Sequence, residues 1–126
     1  MTGVPSTDSG LPQGYPFRAD WEITPHALAA ELAGDDRPLL IDCRTAQEHA
    51  TSRISGAVLM PMSEISARLE DLGEALDRRM VVHCHHGQRS LRVVAYLRTQ
   101  GFTNVWSLAG GIDAWSVGVD SSVRRY

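Results

Sequence analysis

The chain has 126 residues, 43% of them apolar and 21% charged, a length and balance that suit one globular domain and exclude a disordered or fibrous chain. Its formal net charge is -3, from 15 acids and 12 bases, all of the bases arginine; with no basic run, no nucleic-acid partner is expected. No stretch approaches the ~18 consecutive apolar residues of a membrane span, and Met1-Thr2-Gly3-Val4-Pro5-Ser6 lacks the basic and apolar regions of a secretory leader, so the expectation is no membrane partner, a cytoplasmic location, and free thiols at Cys43 and Cys84.

Residues 1–20 carry Pro5, Pro12 and Pro16 among Gly3, Gly10 and Gly14, which predicts an extended arm, with Leu11, Tyr15, Phe17 and Trp21 as the groups that would strap it to the body. Thr24-Pro25 reads as an N-cap and first helical position, and Gly34 as a stop, giving a helix over 25–33 with Leu28 and Leu32 on its buried stripe. Leu39-Leu40-Ile41 is an apolar run without alternation, the pattern of a strand covered on both faces. It ends in Asp42-Cys43-Arg44, after which Thr45 and Glu48 form a capping box that starts a short helix. Ala57-Val58-Leu59-Met60 predicts a second buried strand, and Ile65, Leu69, Leu72 and Leu76 a helical stripe over 63–76, interrupted at Gly73. Met80-Val81-Val82 predicts a third strand, residues 90–101 a helix, 104–108 a fourth strand, and the Gly110-Gly111 pair a turn into a last short helix. Alternating strands and helices imply an α/β fold with a parallel sheet. The tail, residues 119–126, is compatible with either a strap or a frayed end.

The chemistry concentrates where the third strand runs into His83-Cys84-His85-His86-Gly87-Gln88-Arg89. Ligands of parallel α/β sheets gather beyond the carboxyl ends of strands. A short glycine-bearing loop feeding a helix there can turn several backbone N–H groups onto one point, with the helix dipole behind them. With Cys84 at that point its thiolate is favoured over the thiol. A thiolate so held can accept sulfur from a donor such as thiosulfate, carry it as a persulfide, and yield it to cyanide or a thiol in a covalent, ping-pong scheme. Arg89 is the cation expected to assist the departing sulfite.

The segment from His83 to Ser90 resembles the active-site loop of the rhodanese family, in which a cysteine is followed by four residues and an arginine. Ile41-Asp42-Cys43-Arg44 with Glu48, Ile54-Ser55-Gly56-Ala57, and Leu108-Ala109-Gly110-Gly111-Ile112-Asp113-Ala114-Trp115 are similar to the family's other signatures, although Arg53 and Ser55 stand where histidine and proline are common. The likeness covers about residues 22–118. It implies a single rhodanese-like domain over residues 21–118 with a five-stranded, mainly parallel sheet flanked by helices on both faces, Trp21-Glu22-Ile23 supplying the extra strand. It further implies a sulfurtransferase with Cys84 and Arg89 as catalytic residues. The donor would be bound by His85, His86, Gly87, Gln88, Ser90 and Arg44, and Asp42 with Arg44 would hold the loops. No cofactor is implied; the partners are a small sulfur donor and a cyanide, thiol or protein sulfur acceptor.

Several residues invite other readings. His83, His85 and His86 crowd the cysteine, yet consecutive residues do not converge easily on one metal ion, so no metal is expected and the two loop histidines are read as a rim where a partly protonated imidazole meets an anion. Cys43 could in principle resolve a persulfide or sulfenate on Cys84, but it is expected to point away from that residue into inert burial, and Trp106, Trp115 and Tyr96 are expected to be core. Phosphatases and arsenate reductases of similar fold have one more residue between cysteine and arginine, a wider cradle than the four found here. A docking module without activity is the other alternative.

Overall fold

The computed structural model describes residues 9–73 and 76–126. Its strands, β1 (Glu22–Ile23), β2 (Leu39–Asp42), β3 (Val58–Leu59), β4 (Met80–His83) and β5 (Val105–Leu108), form one parallel sheet in the order β1-β5-β4-β2-β3. The helices are α1 (Pro25–Ala33), α2 (Ala46–Thr51), α3 (Leu69–Leu72), α4 (Gln88–Thr99) and α5 (Gly111–Gly118). This is the expected α/β architecture with a five-stranded parallel sheet. Among the described residues no helix is long and apolar enough to cross a membrane.

Strand alternation sorts the core into two layers. Ile41, Met80, Val82 and Val105 face one side, where they pack with Val94 and Leu97 of α4 and with Ile65 and Leu72. Leu40, Val81 and Leu108 face the other, against Leu28 of α1 and Ile112 and Trp115 of α5. The chain leaves β2 toward β3 at one edge and leaves β4 toward β5 in the opposite direction, so the crevice between the carboxyl ends of β2 and β4 is the topological switch point of the sheet. The residues that follow these two strands, Cys43 and Cys84, therefore lie at that crevice.

Local signals act as read. Thr24 accepts from the Ala27 amide with Pro25 at the first helical position, and Gly34 ends α1. The Thr45–Glu48 capping box is formed at α2. Two expectations need correction. The 63–76 stripe is a pair of 3-10 turns (Met62–Glu64 and Ser66–Arg68) followed by the single turn of α3; the run offers no side-chain cap to nucleate a longer helix, and residues 74 and 75 lie outside the described residues. The strand expected to be buried at 57–60 is an edge strand of two residues with Val58 45% exposed, since only β2 flanks it.

Both chain ends are tied down as far as they are described; residues 1–8 of the expected arm lie outside. The Ser9 carbonyl accepts from the His26 amide at 2.9 Å, and Leu11 is buried with Ala109 and Ala114. The Tyr15 hydroxyl donates to Glu22 Oε2 at 2.7 Å and accepts from the Gly110 amide at 2.9 Å. Residues 119–126 form a strap: Ser52 Oγ donates to the Arg124 carbonyl at 2.6 Å, Ser116 Oγ to the Val123 carbonyl at 2.6 Å, and Arg125 pairs with Asp113.

Beneath the strap, Asp42 and Arg44 form a fully enclosed pair, with Arg44 Nε and Nη2 donating to the two carboxylate oxygens at 2.9 and 2.7 Å. Burial alone would raise the Asp42 carboxyl, but bonds from Arg44 and His49 and the nearby His83 ring hold it below the ordinary range. Replacing Asp42 by alanine leaves a buried guanidinium without its counter-charge, a loss worth about 3–5 kcal/mol; denaturant unfolding of Asp42→Ala is expected to show a drop of that size.

Candidate active site around Cys84

Cys84 follows β4 directly, and α4 begins at Gln88 with Gly87 as its N-cap. Gly87 adopts φ 103°, the left-handed region that favours glycine, and a Cβ there would lie 3.2 Å from the Gly110 amide nitrogen and 3.3 Å from the Tyr15 hydroxyl. This turn reverses the chain over a few residues and brings two amides onto one sulfur. Gly87 N–H donates to Cys84 Sγ at 3.1 Å and Ser90 N–H at 3.3 Å. Ser90 Oγ lies 3.4 Å from the same sulfur, 3.3 Å from the Gly87 carbonyl and 2.7 Å from Ser107 Oγ, so with the Ser107 hydroxyl donating to Ser90, the Ser90 proton can be shared between the Gly87 carbonyl and Cys84.

The amides point inward because the carbonyls are held elsewhere. Ile112 N–H donates to the Cys84 carbonyl at 2.9 Å and Asp113 N–H to the His85 carbonyl at 3.1 Å. Both donors belong to the first turn of α5, whose amides have no partner within their own helix. Gly111, at φ 62°, makes this approach possible: a Cβ there would come within 2.6 Å of the Cys84 carbonyl oxygen and closer still to that of His85.

Cys84 is 1% exposed. Its ionisation is set by a contest. The Cys43 thiol beside it is the largest influence and favours the thiolate, burial opposes, and the Ser90 hydroxyl and the Ser90 and Gly87 amides add to the first, so the pKa lies well below that of a free thiol. Cys43 moves the opposite way and stays protonated, through Cys84 first and burial second.

The charged groups nearby are committed to one another. Arg89 Nη1 and Nη2 donate to Glu48 at 2.7 and 3.0 Å, which holds the Glu48 carboxyl well below its usual range and raises the guanidinium further. Tyr126 joins in, its hydroxyl donating to Glu48 Oε2 at 2.6 Å and accepting from Arg44 Nη1 at 2.9 Å. The Tyr126 ring stacks on His85 at 4.0 Å, and His85 on His86 at 3.9 Å.

The model of the Rhodanese-like domain family matches residues 24–117. The chain belongs to the rhodanese family. A sulfurtransferase of Allochromatium vinosum is 39% identical over 95 residues, which cover 75% of this chain and 87% of that relative. The thiosulfate sulfurtransferase GlpE of Pseudomonas putida is 32% identical over 97 residues, covering 77% and 86%. A rhodanese-like domain protein of known structure from Staphylococcus aureus superposes with a TM-score of 0.72 at 28% identity, over 84% of this chain and 98% of that one.

In this rhodanese domain the residues singled out in sequence divide into three groups. Cys84, Gly87 and Ser90 meet around the sulfur, while His86 and Gln88 are exposed on the loop and His85 is half-buried. His85 is shifted down by burial and then by His86, which favours its neutral ring over the partly protonated rim group expected. Arg44, expected among the donor-binding residues, is 0% exposed and spent on Asp42, Ser52 and Tyr126, which leaves it no face for a substrate. Arg89 is not a free cation but half of an ion pair. His83 is sealed in β4, its Nε2 without a hydrogen-bond partner and 3.9 Å from Asp42 Oδ1. Cys43 lies on the same side of the sheet as Cys84, beside it in one buried cluster, contrary to the alternation expected. Sequence reading missed Ser107 and Tyr126; a serine inside an apolar strand was the available signal for the first, and nothing marked the second.

Because the folded pKa of Cys84 is depressed, its thiolate persists at pH values below the free-thiol range and is lost only as pH falls through the folded value. Titration by thiolate ultraviolet absorbance is expected to show one ionised sulfur at pH about 6, where a thiol of pKa about 8.5 shows almost none. Gly111→Ala, which pushes the loop off α5, is expected to move that transition upward.

Proposed function

We propose that this rhodanese domain is a sulfurtransferase in which Cys84 takes the sulfane sulfur of a donor such as thiosulfate and passes it to a thiophilic acceptor, cyanide or a thiol, a protein thiol included. The observation that carries this reading is the convergence of the Gly87 and Ser90 amides on Cys84 Sγ. Donors so arranged are aimed at negative charge on sulfur, and they need no reorganisation when that charge moves.

The Cys84 thiolate attacks the outer sulfur of thiosulfate. The sulfur–sulfur bond of the donor breaks, and its electron pair leaves with sulfite. The persulfide that results carries its charge on the new outer sulfur, next to the same loop amides. An acceptor nucleophile then attacks that outer sulfur, and Cys84 departs as the thiolate it was. Cyanide would leave as thiocyanate. His86 and Gln88, exposed on the loop, are the side chains in this reading that meet the incoming anion. Arg89 anchors the start of α4 to α2 through Glu48, and its contribution is to hold the cradle in shape.

The relatives named sulfurtransferases support this reading, as does a thiol poised as thiolate at the switch point of the sheet. Intact-mass spectrometry after thiosulfate treatment is expected to show a gain of one sulfur atom, absent in Cys84→Ala and reversed by cyanide with release of thiocyanate. A folded chain that gains no sulfur from thiosulfate or from inorganic polysulfide would leave only a docking module.

A further inference from the structure

Cys43 forms and breaks no bond in the transfer just described, yet it is placed where a reactant would be. β2 and β4 pair in parallel with Ile41 opposite Val82 and Asp42 opposite His83. The ladder continues by one bond, Cys43 N–H donating to the His83 carbonyl at 3.0 Å. Side chains two residues apart on a strand share a face, so Cys43 and Cys84, each two beyond the Ile41–Val82 pair, point to the same side and lie in the same buried cluster. Neighbouring strands run about 4.8 Å apart, inside the Cα separation of about 4.4–6.8 Å that a disulfide spans. Both thiols are free and both are 1% exposed. A buried cysteine is ordinarily a small apolar filler. A filler has no need to adjoin the one sulfur that ionises.

We infer that Cys43 is an intramolecular resolving thiol: in a chain that carries the Cys84 persulfide and meets no acceptor, Cys43 attacks Cys84 Sγ, closes a Cys43–Cys84 disulfide and expels the outer sulfur as hydrosulfide. The inference rests on the persulfide reading above. The bond between Cys84 and the outer sulfur breaks, its electron pair leaves with the outer sulfur, and that sulfur takes up the proton of the Cys43 thiol. Two cysteine sulfurs end oxidised to a disulfide and the sulfane sulfur ends reduced to sulfide, so no external oxidant enters. The leaving sulfur is the one beside the Gly87 and Ser90 amides, which stabilise it as an anion. Cys43 is held as a thiol by its surroundings, and a thiol attacks slowly. External acceptors therefore win when present, and the disulfide is the fate of an idle loaded chain. A dithiol reductant restores the starting state.

The test loads the full chain with inorganic polysulfide, a donor that modifies a reachable thiolate whether or not thiosulfate is a substrate. After desalting, the chain is followed anaerobically without acceptor by intact mass, sulfide assay and non-reducing peptide mapping. Wild type is expected to release one equivalent of hydrosulfide and to end two hydrogens lighter than the reduced chain, with the Cys43 and Cys84 peptides joined. Cys43→Ser and Cys43→Ala are expected to keep the persulfide at least about tenfold longer, because neither can complete the exchange; serine still offers a proton to Cys84, which separates resolution from the thiol's effect on ionisation. Equal persulfide lifetimes in all three chains, or sulfide release without the joined peptides, would overturn the inference. Loading from polysulfide but not from thiosulfate overturns the proposed donor and leaves this test in force. A folded chain that loads from neither overturns both readings.

Discussion

The site depends on the direction of a few peptide groups. A loop that leaves a strand can turn its amides or its carbonyls toward the residue it encloses, and here two hydrogen bonds decide. The first amides of α5 hold the carbonyls of Cys84 and His85, so the amides of Gly87 and Ser90 are left to face the sulfur. Those α5 amides are orphans of the helix start and need acceptors in any case. One arrangement thus satisfies the helix and shapes the cradle. It also explains why a glycine pair more than twenty residues downstream belongs to the chemistry of Cys84: with a side chain at Gly111 the two elements could not approach.

The cradle works with dipoles more than with ions. The guanidinium groups within reach are already paired, Arg44 with Asp42 and Arg89 with Glu48, and Tyr126 links the two pairs through its hydroxyl. These contacts join the ends of β2, α2 and α4 to the strap of residues 119–126. They act on the sulfur through the position of the loop and, for Arg89, through a charge interaction with Cys84 that ranks behind its bond to Glu48. Stabilisation of the anion comes from neutral N–H and O–H groups in a site closed to water, where a fixed dipole is worth more than at an exposed surface.

Enclosure cuts both ways for Cys84. Removal from water disfavours its charged form, and a cysteine with no donors at such a site would be a weak acid and a poor nucleophile. Four donors reverse that outcome: the Cys43 thiol, the Ser90 hydroxyl and two amides. The same crowding that lowers one cysteine raises the other, so the two thiols divide the roles of anion and donor between them.

Much of this was legible in the residues themselves wherever the cause is local. The capping box at Thr45, the proline start and glycine end of α1, the apolar runs of β2 and β4, and the strand, cysteine, glycine and helix order at Cys84 act over a few residues and need no distant partner. The family resemblance carried the fifth strand and marked the Gly110-Gly111 segment as a signature, without placing it against the Cys84 loop. Tertiary structure alone settled the rest, because it depends on which strands become neighbours. Only the placement of β2 beside β4, in the register that sets Ile41 against Val82, brings Cys43 to Cys84; periodicity along one strand says which residues share a face, not whose face it meets. For the same reason the capture of Arg89 by Glu48 and the reach of Tyr126 to Arg44 and Glu48 could not be read from spacing, since each joins residues that the chain holds far apart until the sheet has formed.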